Sequence, residues 1–237
     1  TVDSPVSVGK LAGQRTVNRL GSRPIKTGRF PVLFEAPLAS GLISSLLSAI
    51  SGGNLYRKSS YLLDSLGKPI AAPLLNIEEL PHLLKGIASS AFDSEGVATK
   101  ARKLVENGVL QGYMLSSYSS RKLGMQTTGN AGGSHNIVVA HTNHQFADLL
   151  ALMGTGLLVT EMLGHGLNMV TGDYSRGAAG YWVENGVIAH PVEEITIAGN
   201  MKDMLMQIVA IGDDAMKQSS KQVGSILIEQ MTVAAGE

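Results

Sequence analysis

The pentapeptide Val-Glu-Asn-Gly-Val occurs twice, at residues 105–109 and again at residues 183–187. Few short segments constrain a chain as tightly as Asn-Gly. A type I′ turn needs positive φ at both central positions, which Asn tolerates and Gly adopts freely. Alternating apolar residues flank both copies, so each is expected to close an antiparallel hairpin. The identical pentapeptides hint at two related halves, although five residues are too few to establish a repeat.

Around these hairpins the pattern alternates between helical and extended signals. The opening reads as extended as far as Pro5, after which Val8, Leu11, Ala12, Val17 and Leu20 recur at near-helical spacing up to Gly21, predicting one amphipathic helix. Residues 31–36 (PVLFEA) read as a short strand. Residues 37–50 follow as a helix with Pro37 near its N-terminus, closed by Gly52 and Gly53. From Leu55 to Leu84 no period persists, which predicts loops and short strands. Further on, residues 135–141 (HNIVVAH) predict a strand and 145–153 (QFADLLALM) a helix with Asn143 near its cap. Residues 201–211 predict a helix, and 225–233 (SILIEQMTV) a closing strand. The sum is an α+β fold with mainly antiparallel sheet.

The chain has 237 residues, 44% of them hydrophobic, enough for a sizeable core. Nineteen basic residues balance nineteen acidic ones, so no net field favours nucleic acid or an anionic membrane as a partner. Only 16% of residues are charged, which points to surface covered by a partner and makes an oligomer the default expectation. The absence of cysteine excludes disulfides, thiolate zinc ligands and a cysteine nucleophile, and agrees with a cytoplasmic location. No apolar run reaches the roughly 20 residues that span a bilayer, so no membrane association is expected. The chain begins at Thr1 with neither an initiator Met nor a signal-like stretch, and a preceding segment is therefore expected.

Familiar catalytic loops are missing. Residues 153–159 (MGTGLLV) lack the third glycine of a dinucleotide fingerprint, and neither a P-loop nor a Gly-x-Ser-x-Gly elbow is present. His135, His141 and His144 could converge on a metal if the strand places them together, although solvated histidines at a strand end are the ordinary reading. Glu161 and His165 stand four apart and would share a face of a helix, but the glycines around them favour a loop. Residues 172–180 (GDYSRGAAG) set Asp173, Tyr174, Ser175 and Arg176 among small residues and suggest a recognition loop for substrate or partner. An ordinary bulge or turn accounts for them equally well.

Longer blocks carry a resemblance. RPIKTGRFPVLFEAPLASGL, YRKSSYLLDSLGKPI, HLLKGIASSAFDSEGVATKARKLVENG, SYSSRKLGMQTTGNAGG, TGDYSRGAAGYWVENG and PVEEITIAGNMKDM follow one another from Arg23 to near the C-terminus. In this order they resemble the PmbA/TldE branch of the TldD/PmbA family, once named as modulators of DNA gyrase. The resemblance implies that residues 23–237 form the family's C-terminal domain. In that domain a largely antiparallel sheet, curled or barrel-like, is flanked by several helices. Residues 1–22 would be a linker and amphipathic helix leading from an N-terminal domain.

The TldD branch carries His-Glu-x-x-x-His at the start of a helix, with a later cysteine as third zinc ligand. The motif falls here on Phe34-Glu35-Ala36-Pro37-Leu38-Ala39, and the cysteine position falls near Val223. Both imidazoles and the thiolate are thus replaced by hydrocarbon, so Phe34, Glu35, Ala39 and Val223 are expected to be vestigial, with no metal bound and no catalysis by this chain alone. The resemblance further implies a heterodimer in which a TldD-like partner supplies the zinc and cuts unfolded or extended peptides, with peptide-toxin maturation as one outlet. Neutral charge fits the family's gyrase label poorly, and an indirect effect makes better physical sense. Two other readings stay open: a metallopeptidase relocated to His135, His141 and His144, or a homodimeric peptide-binding module. A free sheet edge near the hairpins is the expected place for an extended peptide.

Overall fold

A computed structural model describes residues 4–235. The expected extended opening therefore lies almost wholly outside the described residues. At the centre of the fold is strand β1 (Gly28–Phe34), whose last three residues are fully buried although strand side chains point alternately to opposite faces. Val32 and Phe34 enter the main core, and Leu33 enters a second one.

Both edges of β1 are paired. It runs parallel to β6 (Gly156–Leu163) and antiparallel to β11 (Ile226–Ala235). From β6 the hydrogen bonding continues to β7 (Asp173–Glu184), then β8 (Val187–Asn200), and back to β11. The ring β1–β6–β7–β8–β11 closes on itself, a five-stranded barrel with a single parallel pair. Closure removes the unpaired edges that an open sheet exposes. Bulges at Val159/Glu161, Ala178/Gly180 and Trp182/Val183 supply the curvature so small a barrel needs. Beyond the reach of β8, strand β9 (Ile208–Ile211) takes its place against the start of β11.

A parallel pair cannot be joined by a tight turn. The connection from β1 to β6 contains α2 (Ala36–Ala49), α3 (Gly52–Tyr56), α4 (Ser117–Leu123), α5 (Phe146–Met153) and most of a second sheet. That sheet has the order β10–β5–β2–β3–β4, formed by Lys221–Gln222, Ile137–Val139, Ile77–Glu79, Arg102–Glu106 and Val109–Leu110. Helix α2 buries Ala36, Ala39, Leu42, Ile43, Leu46, Leu47 and Ala49, a stripe too wide for a surface helix, and all but Ala36 lie in the same cluster as Val32, Phe34, Ile226 and Ile228. On the other face of the strands, Leu33, Leu158 and Leu227 are covered by Leu149 and Met153 of α5.

Both Asn-Gly hairpins form. Asn107 and Gly108 have φ of 49° and 75°, and Asn185 and Gly186 have 51° and 76°. The first joins β3 to β4 in the second sheet and the second joins β7 to β8 in the barrel, in strands of very different length. The pentapeptides therefore mark the same turn in two different sheets, and this pairing does not divide the fold into two related halves.

Other elements depart from their expected bounds. The first helix, α1, spans Pro5–Val17. Gly52 and Gly53 open α3 instead of closing α2. Gln145, not Asn143, caps α5. The helix expected over 201–211 stops at Met206 as α6 (Met201–Met206), because residues 208–211 pair with β11. There the β-branched run gains more from completing the sheet than from another helical turn.

Gly108 is buried beneath residues 70–75, and a Cβ there would stand 2.3 Å from the Ala71 carbonyl oxygen. Gly108→Ala is therefore expected to cost at least about 2 kcal/mol, read as a lower denaturant midpoint. Asn107→Gly, which keeps the turn's backbone, should change it by less than about 1 kcal/mol.

Candidate functional site

The junction of β1 and α2 brings the motif positions together. Phe34 pairs in register with Ile226 of β11, so the β10–β11 connection containing Val223 passes beside the start of α2. Phe34 and Ala39 have no exposed surface and Val223 has 1%, and all three belong to the main core cluster. Their side chains hold only carbon and hydrogen. Glu35 is the single side-chain donor among the four positions, and Arg15 of α1 grips its carboxylate through both terminal guanidinium nitrogens, with Nη1 3.2 Å from Oε2. This donor set does not fit zinc, which needs about three protein ligands.

The helix start is held by other means. Glu35 gives α2 no side-chain cap. In its place the Ala36 N–H donates to Ser225 Oγ at 3.0 Å, and that hydroxyl donates to Asp214 Oδ2 at 2.6 Å. The Ser225 N–H also donates to Asp214 Oδ1 at 2.7 Å. A buried serine from β11's approach thus caps a helix 189 residues earlier in the chain.

Beside Glu35 lies a cleft of about 500 Å³ between α1 and the barrel, where Phe146, Leu158, Tyr181 and Ile188 face Arg15, Arg19, Glu35 and Glu161. Arg19 pairs with Glu161 and stands 3.5 Å from Glu193. These arginines were missed in the sequence. Their spacing of four was visible, but their partners lie 20 and 142 residues away.

The histidines do not converge. His135 is buried, its ring Nδ1 3.1 Å from Glu79 Oε1. The ring of His141 accepts from the Asn143 N–H, and His144 is 2.8 Å from the Thr142 hydroxyl. Among the described residues no three His, Asp or Glu side chains gather to hold a metal ion. Glu161 lies in β6 and His165 just beyond its end, so no helical face joins them.

The expected recognition loop is strand. Asp173, Tyr174, Ser175 and Arg176 are the first residues of β7, paired with Asn200 to Ile197 of β8, because the alternating Tyr174, Arg176 and Ala178 complete the barrel. Hydrogen bonds from Thr171 and Asn200 hold the exposed Asp173 carboxyl below its ordinary range. Burial pushes Tyr174 up to about 12. Arg176 donates to the Gly164 carbonyl at 2.6 Å, and among the described residues no carboxylate pairs with it.

A second polar centre lies in the other sheet. Burial alone would raise the Glu79 carboxyl, but the Arg102 guanidinium, the His135 N–H and Asn130 outweigh it and hold it below its ordinary value. Arg102 Nε is 2.8 Å from Oε2, its Nη1 donates to Tyr113 O and its Nη2 to Asn130 Oδ1.

Residues 27–235 match the PmbA/TldA metallopeptidase C-terminal domain. The chain belongs to this family. It is similar to Metalloprotease PmbA of Escherichia coli O157:H7, 52% identical over 233 residues, covering 98% of this chain and 52% of that protein. A crystal structure from Bacteroides thetaiotaomicron, named as a candidate modulator of DNA gyrase, superposes with a TM-score of 0.92 at 32% identity, covering 96% of this chain and 52% of that one. Another so named, from Thermotoga maritima, gives 0.90 at 36%, covering 98% and 56%. The chain spans about half the length of the relatives it matches.

Two outcomes test this arrangement. Ser225→Ala strands the Ala36 N–H and should cost about 1–3 kcal/mol, seen as a lower melting temperature, whereas Ser225→Thr should retain part of the cap. Because the folded Glu79 carboxyl titrates lower than its unfolded counterpart, its contribution is complete above about pH 4.5 and is lost as pH falls through the lower folded value. Glu79→Gln should therefore lower stability at neutral pH and flatten the stability profile below about pH 4.5, measured by urea unfolding across pH.

Proposed function

We propose that this chain is part of the non-catalytic, metal-less subunit of a TldD/TldE-type peptidase, acting beside a partner chain that carries the zinc. One observation carries the reading: where the family resemblance implies two imidazoles and a thiolate, three fully packed hydrocarbon side chains stand in the main core. Restoring ligands there would require opening that core, not merely exchanging surface groups. Glu35, the position of a general base in the catalytic branch, is paired with Arg15 and stands beside side chains that offer no imidazole or thiolate to hold a metal-bound water.

In this reading the partner cuts unfolded or extended peptides, and maturation of a peptide toxin is one use of the assembly. The chain shapes the chamber and presents backbone to the substrate. Closure of the barrel restricts where that can happen. The edge of β4 is taken by residues 67–68, while β8 beyond its pairing with β11 keeps an edge met by the Arg23 N–H at Pro191. A cytoplasmic setting fits the absence of cysteine, and among the described residues no helix is long and apolar enough to cross a membrane. The low charge content supports a protein partner over nucleic acid.

The decisive experiment assays peptide hydrolysis by the complete protein alone, by a TldD-like chain alone, and by the two mixed, with zinc measured in each by elemental analysis. Activity and zinc should follow the partner, with less than about 0.1 equivalent of zinc on the complete protein containing this chain. Stoichiometric zinc and hydrolysis by that protein alone would overturn the proposal.

A further inference from the structure

Helix α1 is attached in an unusual way. Although 13 residues long, it buries none of them, and Val6, Val8, Leu11 and Val17 are all more than half exposed. Its described side-chain ties to the barrel are ionic: Arg15 to Glu35, and Arg19, just past the helix, to Glu161 and Glu193. Beneath it is the cleft lined by Phe146, Leu158, Tyr181 and Ile188. A helix held by packing would resist salt, whereas exposed ion pairs contribute little and are screened by it.

We propose that α1 is a strap, latched by these ion pairs, across a cleft that takes the basic side chain of an extended peptide, with Arg15 occupying in cis the place that side chain takes. The Arg15–Glu35 contact is a two-nitrogen, two-oxygen fork, the geometry by which a carboxylate selects guanidinium over ammonium. With the strap displaced, Glu35, Glu161 and Glu193 lose these cationic partners and the aromatic and aliphatic walls are opened. An arginine flanked by apolar residues matches both features. Because Arg15 already holds the Glu35 carboxylate, an incoming ligand meets a closed state, and its apparent affinity is reduced to the fraction of time the strap is open. This proposal concerns binding to the chain itself and does not require the subunit role given above.

The test uses the full chain and two fluorescent peptides, Ala-Phe-Arg-Leu-Ala and its counterpart with citrulline replacing arginine. The double variant Arg15→Gln/Arg19→Gln should bind the arginine peptide about ten-fold more tightly than the unaltered chain. Adding Glu35→Gln should abolish that gain, and the citrulline peptide should respond to neither change. In the unaltered chain, raising NaCl from about 50 mM to about 500 mM should speed amide hydrogen exchange in α1 about three-fold and leave α5 unchanged. Equal affinity of the unlatched and unaltered chains, equal binding of the two peptides, no binding to either chain, or salt-independent exchange in α1 would each overturn the proposal.

Discussion

The fold depends on the two-sided burial of β1. A strand hydrogen-bonded along both edges and packed on both faces is the most constrained element a sheet can contain, and residues 32–34 satisfy all four demands at once. Their pairing with β6 on one side and β11 on the other closes the ring, and closure in turn places the β10–β11 connection against the start of α2. Each leucine-sized side chain buried there contributes about 1.5–3 kcal/mol. Substitution in this segment would therefore disturb ring closure, the helix start and the second core under α5 together.

The same constraint explains the character of the candidate site. Here Phe34, Ala39 and Val223 have been absorbed into the core, and the helix start is satisfied by Ser225 and Asp214. What remains accessible is Glu35 and the cleft beside it, under a helix that contributes charge but no buried surface. One side of the junction is thus packed hydrocarbon, and the other is an amphipathic cleft.

Much of this was legible along the chain. Asn-Gly turns announced both hairpins because their backbone requirement is local, and the strand 31–36, helix 37–50 and closing strand 225–233 emerged within a few residues of their true limits because each carries its own period. The errors share one cause. Residues 201–211 read as helix until β11 claimed the last four, and residues 173–176 read as a loop because small polar residues hide an alternation that only barrel partners complete. The histidines 135, 141 and 144, whose ordinary reading was separate strand-end residues, do have separate partners in Glu79, Asn143 and Thr142.

The sequence by itself determined the fold class, the family resemblance and the hydrocarbon side chains at positions 34, 39 and 223, since these follow from residue identity and local backbone preference. Only the tertiary structure decided that Phe34, Ala39 and Val223 merge into the core, that a distant serine caps α2, and that Arg15 reaches Glu35. Those outcomes depend on contacts between segments up to 189 residues apart, and no local preference encodes which distant partner a buried polar group will find.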